Sequence, residues 1–373
     1  MTWPIVFWTG LALVAYAYAG YPLLTSALAR FFGRAPRRDQ ATPAITVVVA
    51  AHNESARIGE RVRDILAQDY PADRLRVLVV SDGSTDDTAR QADVGDPRVR
   101  VLELPRNGGK AVALNQALAQ VDTPLVAFTD ARQHYAAGAV RQLVSAFADP
   151  DVGAVSGELV ILPGAGAAAD TGLYWRMEKR LRHDEALLSW LHGVTGAVYA
   201  LRRELYAPMP PGTILDDMWV PLHAVQSGRR VWMARDAIAY DVSSADAGEE
   251  FRRKLRTLAG NWQLLARMPR LLNPFRNRIF FALLSHKWLR LLAPWALLAT
   301  WLASALANGT FYRAMFLLQC LAYAAAAAAL AWPRPAKRVP LLPTAGTFVM
   351  LNLAALLSLP AAFIDTRHLW KKH

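Results

Sequence analysis

Four short acidic motifs recur along the chain, and the first three each follow an apolar run rich in β-branched residues. The motifs are AAHNES at 50–55, SDGSTDDT at 81–88, FTDAR at 128–132 and ILDD at 214–217. Such apolar runs predict buried strands, so the first three motifs fall at the carboxyl ends of strands. Open α/β sheets bind their ligands at that edge. We therefore expect a ligand site made of polar loops at one sheet edge, with the fourth motif brought there by the fold.

Strand-like and helix-like segments alternate over the first half of the chain. Strands are predicted at 45–50, 75–80, 99–104 and 125–129, with helices at 56–68, 111–119 and 137–147. This alternation predicts an α/β fold with a mostly parallel sheet, helices on both faces and right-handed crossovers. Further along, the sequence predicts a charged helix at 170–190, strands at 194–201 and 230–240, and a basic helix at 251–267.

Both ends of the chain are apolar enough to enter a membrane. Residues 3–29 are long enough to span a bilayer, and basic residues follow them at 30, 34, 37 and 38. Because positive loops stay inside, the next domain is predicted to be cytoplasmic, in a multi-pass protein of the inner membrane. Residues 271–288 predict a helix lying in the membrane interface. Three membrane helices are predicted near 289–306, 314–332 and 341–364.

These segments divide the chain into an anchor and linker at 1–43, a cytoplasmic domain at 44–267 and a second membrane region at 268–373. The topology carries one conflict. If every apolar segment crosses once, the basic tail at 367–373 lies outside, against the positive-inside rule. Either the rule fails for that tail or one segment does not cross, and the sequence leaves both open.

The charge pattern limits the partners. Lys and Arg number 42 against 30 Asp and Glu, a net charge of +12. The basic residues lie beside the apolar segments and at 251–278 rather than in one stripe, so we expect anionic headgroups and diphosphates, not nucleic acid. The single cysteine, Cys320, excludes an intrachain disulfide framework and a cysteine zinc site. Dinucleotide-binding, Walker, zinc-protease and nucleophile-elbow motifs are absent from the sequence.

Asp82 and Lys110 are candidate ligand-binding residues. Asp82 directly follows a predicted strand, so its carboxylate can accept from a base N–H or a ribose hydroxyl; the alternative is a turn that only caps the next helix. Lys110 follows Asn107-Gly108-Gly109 at a predicted helix start, where backbone N–H groups and an ammonium suit an anion. The alternative for Lys110 is a solvated side chain at a turn.

Asp130 and Arg132 form a candidate site for a cation and a diphosphate. Asp130 ends the fourth predicted strand, where a carboxylate can hold a divalent cation that neutralises a diphosphate; a structural cap is the alternative. Arg132 can form a bidentate pair with phosphate oxygens.

Asp216 and Asp217 open a predicted helix at 218–226. Carboxylates at a helix start are favourable for the helix dipole alone, which is one interpretation. The other is that one of them is a general base for an acceptor hydroxyl. The basic run that includes Arg253 and Arg256 also has two interpretations: it faces lipid headgroups, or it binds a leaving diphosphate.

In this order, the motifs resemble those of the membrane-bound family 2 glycosyltransferases, which include cellulose, hyaluronan and poly-N-acetylglucosamine synthases. The similarity covers residues 44–263, and the flanking apolar segments fit the same architecture. The resemblance implies a GT-A-like domain and inverting transfer of a sugar from a nucleotide-sugar, with a UDP-sugar as the first expectation. It further implies a membrane lipid or glycan acceptor, polysaccharide or glycolipid synthesis, and a Mg²⁺ or Mn²⁺ ion.

The resemblance also implies roles for individual residues. Asp217, preceded by Asp216, matches the catalytic base of the TED motif, and Asp130 matches the first aspartate of the metal-binding DxD motif. Acceptor contacts are implied for Gly193, Thr195 and Gly196. Contacts with the nucleotide or its diphosphate are implied for His52, Asn53, Glu54, Asp82, Lys110, Asp130, Arg132, Arg253 and Arg256.

Two motifs depart from the family pattern. Arg132 replaces the second aspartate of DxD, and Arg253 and Thr257 replace the glutamine and tryptophan of QxxRW. These changes put processive synthesis in doubt and leave single-sugar transfer to a lipid-linked acceptor open. They also leave open a non-catalytic nucleotide-binding partner of an active synthase, and further polysaccharide-synthesis subunits as partners. A transporter is disfavoured because the apolar segments contain few charges.

Overall fold

The structure is a computed structural model, and it describes residues 2–162, 173–242, 247–336, 338–339 and 341–362. The strands are β1 (Ile45–Ala51), β2 (Leu75–Asp82), β3 (Val99–Leu104), β4 (Leu125–Asp130), β5 (His134–Tyr135), β6 (Val152–Leu162), β7 (Tyr199–Arg202) and β8 (Arg230–Val242).

The helices begin before the sheet, alternate with its strands and continue after it. They are α1 (Thr2–Ala15), α2 (Tyr21–Phe32), α3 (Ile58–Leu66), α4 (Thr88–Ala92), α5 (Lys110–Leu118), α6 (Ala139–Ser145), α7 (Leu173–Leu187), α8 (Asp216–Gln226), α9 (Ala247–Arg267), α10 (Phe280–Leu283), α11 (Leu289–Leu306), α12 (Thr310–Ala331), α13 (Pro333–Ala336) and α14 (Leu342–Ala361). Two π-helical turns, Tyr16–Gly20 and Leu284–Trp288, join α1 to α2 and α10 to α11.

Contacts divide the chain into two units. The sheet unit contains residues 32–169 and 182–245, and the helical unit contains residues 1–31, 170–181 and 246–373, counting described residues only. Helix α7 belongs to the helical unit up to Leu181 and to the sheet unit from Arg182 onward. The predicted basic tail at 367–373, the start of the predicted helix at 170–190 and the end of the predicted segment at 341–364 lie outside the described residues.

The sheet has eight strands in the order β3-β2-β1-β4-β7-β6-β8-β5. Strands β3, β2, β1 and β4 are parallel, and so is the pair β6 and β8, whereas β7 and β5 run antiparallel to their neighbours. The α/β fold with a mostly parallel sheet is therefore confirmed. Because β1, β2 and β4 are parallel and in register, Ala50 pairs with Asp130 and Ala51 with Ser81, so the first three acidic motifs end at one edge.

Burial explains why these strands form where the sequence predicts them. Residues Ile45 and Val47 to Val49 of β1 are fully buried, as are Leu75 and Val79 of β2. A parallel strand covered on both faces needs apolar side chains in every position rather than in alternate ones.

The sequence pattern does not predict β6, because two glycines interrupt its apolar run. Gly157 lies so close to the β8 backbone that a Cβ atom would stand 2.4 Å from the Ala237 carbonyl oxygen. Gly153 is equally tight, with the Arg229 Cβ 2.6 Å away. A glycine inside a strand often marks such a close approach, so the residues that weaken the pattern are the ones that let β6 and β8 pack.

The predicted strand at 194–201 is wrong over most of its length. Only Tyr199–Arg202 pairs in the sheet, as β7, while residues 191–195 have no regular secondary structure and Val198 N–H closes a turn on the Thr195 carbonyl oxygen. Two glycines at 193 and 196 explain the shorter strand, since glycine weakens a strand interior.

Among the residues that the structure describes, four helical segments are long and apolar enough to cross a membrane, which supports a membrane protein. They are Thr2–Phe32, Phe280–Leu306, Thr310–Ala331 and Leu342–Ala361. The helix predicted at 271–288 is shorter than expected: it begins at Phe280 and continues into the second of these segments, while the start is a 3-10 turn, Pro269–Leu272. Its position in the membrane interface stays a prediction. Asn277 explains the break, because its side chain donates to the Leu271 carbonyl oxygen at 2.9 Å and caps the turn there.

Candidate active site

The loops that follow β1 and β2 are held together by side-chain hydrogen bonds to backbone. Asn53 Oδ1 accepts from the Thr85 N–H at 2.8 Å, and the Glu54 N–H donates to Thr88 Oγ1 at 2.8 Å. Asn53 has a φ of 54°, a left-handed conformation that asparagine tolerates better than most residues. These two predicted nucleotide contacts therefore first serve to join two loops, and their contact with a nucleotide stays a prediction.

Asp82 is only 4% exposed and shapes the glycine turn before α5. Its Oδ1 accepts from the Gly108 N–H and its Oδ2 from the Gly109 N–H, both at 2.8 Å. Its carbonyl oxygen lies 2.8 Å from His52 Nδ1, which therefore carries the proton. Each carboxylate oxygen thus already has a partner, and the turn they hold presents Lys110 at the start of α5. A contact of Asp82 or His52 with a base or ribose stays a prediction.

Lys110 joins two of the predicted acidic residues. Its Nζ lies 2.9 Å from Asp130 Oδ1 and 3.0 Å from Asp216 Oδ2. Burial alone would lower the pKa of the Lys110 ammonium, but the charges of Asp130 and Asp216 outweigh burial and raise that pKa above its usual value. The ammonium is therefore fixed in its charged form. The structure brings together the ends of β4, α5 and α8, which the sequence places far apart.

Asp217 lies beside the loop that was predicted to contact an acceptor. The Val194 N–H donates to the Asp217 carbonyl oxygen at 2.9 Å. Gly196 is close enough that a Cβ atom there would stand 3.6 Å from the Asp217 Cβ and 3.9 Å from its Oδ2. Asp217 is half-buried, whereas the side chain of Asp216 is only 11% exposed. Of the two acids, Asp217 is thus the one beside the predicted acceptor loop, and Asp216 is the one paired with Lys110.

Tyr199 lies behind this cluster and was missed by the sequence reasoning. Its ring stacks on Phe128 of β4 with centroids 4.7 Å apart, and its buried hydroxyl has no hydrogen-bond partner among the described residues. Burial raises the pKa of the Tyr199 hydroxyl well above its usual value, and the charge of Asp216 adds to that effect. A tyrosine in an apolar strand gave no signal of this position.

Arg132 forms an ion pair with a carboxylate of the protein itself. Its Nη2 donates to Asp241 Oδ2 at 2.6 Å, and Gln133 Nε2 donates to the same oxygen at 2.9 Å. The Asp241 side chain is 4% exposed, whereas that of Arg132 is 46% exposed. Asp241 was not predicted, because it sits inside β8 without a motif around it. The contact of Arg132 with phosphate stays a prediction.

Arg253 and Arg256 lie on α9, in the helical unit. Arg253 forms an ion pair with Glu250, one turn earlier on the same helix. Their predicted role at a leaving diphosphate stays a prediction.

The acidic cluster fits a divalent cation. The Asp130 side chain is 42% exposed at the end of β4, and a cationic group, the Lys110 ammonium, already lies between Asp130 and Asp216. Mg²⁺ and Mn²⁺ prefer carboxylate oxygens, which are the ligands present here. Asp130 is the more exposed of the two acids and could supply one ligand, and its role at a metal stays a prediction.

The geometry combines three chemical capacities in the sheet unit. The glycine turn and Lys110 can attract an anion, Asp130 can hold a cation, and Asp217 can accept a proton beside the loop at 193–197. Such a set suits transfer of a group from a phosphate leaving group to a hydroxyl.

Comparison with known proteins agrees with this chemistry. Residues 46–207 match the family model for glycosyl transferase family 2. An N-acetylglucosaminyltransferase of Bradyrhizobium elkanii is 37% identical over 123 residues, which is 32% of this chain and 67% of that protein. A beta-monoglucosyldiacylglycerol synthase of Synechocystis sp. is 37% identical over 118 residues, 30% of this chain, and the match spans 25% of that protein's length.

A solved structure extends the similarity over the whole chain. The mannosyltransferase PcManGT from Pyrobaculum calidifontis, solved with GDP-Man and Mn²⁺, has a TM-score of 0.72 and 26% sequence identity. The match covers 99% of this chain and 100% of that one. The GT-A-like fold that the motifs implied is confirmed by this similarity, together with apolar helices at both ends.

Proposed function

The chain belongs to glycosyltransferase family 2, and we propose that it transfers a sugar, with inversion, from a nucleotide-sugar to a membrane lipid or glycan acceptor. The observation that supports this most is the shared Lys110 ammonium between Asp130 and Asp216, with Asp217 next in the chain. It concentrates an anion-binding group, a metal-binding group and a base at the strand ends where α/β proteins bind ligands.

On the donor side, Lys110 and the glycine turn bind the diphosphate, and Asp82 keeps that turn in place. The Gly108 and Gly109 N–H groups are oriented by the Asp82 carboxylate, so Gly83, Asp82 and the turn form one rigid support. Asp130, with phosphate oxygens, would hold Mg²⁺ or Mn²⁺. When bound, that ion neutralises charge on the leaving nucleoside diphosphate.

On the acceptor side, Asp217 is the general base. Its carboxylate takes the proton of the acceptor hydroxyl while that oxygen forms a bond to the anomeric carbon. The bond from the anomeric carbon to the diphosphate breaks, and its electron pair leaves with the nucleoside diphosphate. Asp216, the neighbouring acid, is held by Lys110, so the two adjacent carboxylates have different tasks.

The donor and acceptor are proposed by class. A UDP-sugar is our first expectation. The relatives that match include N-acetylglucosaminyltransferases and a beta-monoglucosyldiacylglycerol synthase, while the solved neighbour holds GDP-Man. Single transfer to a lipid-linked acceptor is favoured over processive synthesis, because the chain lacks the QxxRW tryptophan, with Thr257 in its place.

The test is nucleotide release from purified protein reconstituted in lipid. UDP-GlcNAc, UDP-glucose and GDP-mannose would be offered with and without Mg²⁺ or Mn²⁺ and with a membrane-lipid extract. We expect release from one donor that depends on both the metal and the extract. Tight UDP or GDP binding without release from any donor would contradict an enzyme and favour a non-catalytic nucleotide-binding partner.

The base assignment is tested by Asp217→Asn. Because asparagine cannot accept the proton, we expect release to fall by about 10²-fold or more while nucleotide affinity stays within about twofold. An active Asp217→Asn variant would remove the assignment. Asp122→Asn, an exposed acid paired with Arg76 elsewhere in the sheet unit, is the matched control and should keep full activity.

A further inference from the structure

One short loop forms hydrogen bonds with Asp217 and with Thr129, the residue before Asp130. At its start, the Val194 N–H donates to the Asp217 carbonyl oxygen at 2.9 Å. At its end, the Ala197 carbonyl oxygen accepts from the Thr129 hydroxyl at 2.8 Å, and Thr129 directly precedes Asp130. The loop at 193–197, here called the bridging loop, therefore connects the backbone of Asp217 to the residue that precedes Asp130.

Arg182, which lies outside the bridging loop, donates hydrogen bonds to two of its residues. Arg182 Nη1 donates to Thr195 Oγ1 at 3.1 Å, and Nη2 donates to the Gly193 carbonyl oxygen at 3.3 Å. Nη2 also lies 3.4 Å from Ser156 Oγ, a fully buried group that accepts from the Thr195 N–H at 2.9 Å. The two ends of the guanidinium thus reach two points of the loop and the strand residue beneath it.

This arrangement matters because the loop has little stiffness of its own. Gly193 lies against Met218, where a Cβ atom would stand 3.2 Å from the Met218 Cγ, and a glycine at 193 and at 196 lets the backbone adopt more conformations than other residues allow. A loop of this kind keeps one position only if groups outside it fix it. Charge-assisted hydrogen bonds from a planar guanidinium are directional, which makes Arg182 suited to that task.

We propose that Arg182 is a positioning residue: by fixing the bridging loop, it holds Asp217 at a defined position relative to Asp130. The proposal rests on the proposed role of Asp217 as base. Arg182 acts through Thr195 and Gly193 and does not itself touch the reacting atoms. A lysine at this position would reach one of these acceptors but not both ends of the loop, because its ammonium lacks the fork of donors.

The experiment compares Arg182→Ala and Arg182→Lys with wild type and with Arg203→Ala in full-length, lipid-reconstituted protein. Arg203 is an exposed arginine of the sheet unit and serves as the matched control. Amide hydrogen exchange of the bridging loop is measured without ligand. UDP and GDP affinities are measured next, followed by transfer and by hydrolysis of the donor in the absence of an acceptor.

For Arg182→Ala we expect the Val194 and Thr195 amides to exchange at least 10-fold faster, while the Gly108 and Gly109 amides keep their rates. Transfer should fall at least 10-fold, nucleotide affinity should stay within twofold, and hydrolysis should change less than transfer. Arg182→Lys should give intermediate values, and it remains informative if the alanine variant does not fold. Arg203→Ala should match wild type throughout.

Two results would overturn the inference. Unchanged exchange in the bridging loop of Arg182→Ala would show that the arginine does not hold it. Faster exchange with unchanged transfer would show that the loop does not position the base. Wild-type protein that transfers no sugar from any donor would instead overturn the proposed function, while the exchange rates would still show whether Arg182 holds the loop.

Discussion

At the scale of single residues, Lys110 keeps two carboxylates close together. Asp130 and Asp216 both lie within 3.0 Å of its ammonium, so without that charge the two acids would repel each other. The sequence predicts Lys110 as an anion-binding residue from the glycines before it. It cannot predict the pairing with Asp216, because that contact joins positions more than 100 residues apart that only the fold brings together.

The charge of Lys110 predicts a coupled effect on stability. Removing one partner of a buried ion pair costs about 3–5 kcal/mol, and partial exposure here reduces this, so we expect Lys110→Met to cost about 1–3 kcal/mol. Adding Asp216→Asn should recover part of that loss, since it removes the repulsion. Urea unfolding of detergent-solubilised single and double variants measures the coupling. The same double-mutant cycle on the exposed pair Arg76 and Asp122 is the control, and its coupling free energy should be near zero. If the stability losses of the Lys110 and Asp216 variants simply add, the two residues are not paired.

At the scale of elements, the strands that the sequence predicts are those whose apolar runs are continuous. The predicted β1 and β3 agree with the structure to within one residue, and β2 and β4 run one or two residues further, to Asp82 and Asp130. The misses have physical causes. Gly153 and Gly157 interrupt the apolar run of β6, so the pattern does not predict that strand, yet the close packing of β6 requires them. Glycines at 193 and 196 explain why part of a predicted strand is the bridging loop instead. Arg182, Tyr199 and Asp241 could not be predicted, because no motif surrounds them and only the fold brings them to the loop at 193–197, to Phe128 and to Arg132.

The turn after β2 predicts a specific glycine requirement. Gly83 has a φ of +59°, and a Cβ atom there would stand 2.2 Å from the Asn107 backbone nitrogen. We expect Gly83→Ala to cost about 1–2 kcal/mol for the left-handed conformation plus a further loss for the clash, which displaces the turn held by Asp82. Gly95 has a φ of +74° and open space around it, so Gly95→Ala isolates the conformational cost.

Urea unfolding of the two glycine variants, with UDP and GDP affinity, separates the two effects. Gly83→Ala should lose more stability than Gly95→Ala and should also weaken nucleotide binding. Equal losses in the two variants would show that the approach of Gly83 to Asn107 does not constrain the turn.

At the scale of the whole molecule, the contacts of α14 bear on the topology that the sequence leaves open. Near its start, Gly346 packs against Ala326, Ala329 and Leu330 at the end of α12. Near its end, Ser358 accepts from the Trp262 indole N–H at 3.0 Å. If α11 and α12 each cross the membrane, the end of α12 returns to the side where α11 begins, and the chain reaches α11 on that side from α9 through the 3-10 turn Pro269–Leu272 and α10. Both ends of α14 therefore contact groups near that one side.

This predicts that α14 does not cross the membrane, and that its end at Ala362 lies on the same side as α9. The test uses single cysteines in a Cys320→Ser background: Phe275→Cys after α9, Asn308→Cys between α11 and α12, and Ala362→Cys after α14. In sealed vesicles of known orientation, an impermeant maleimide should label positions 275 and 362 from one side and position 308 from the other. Labelling of 362 together with 308 would show instead that α14 crosses.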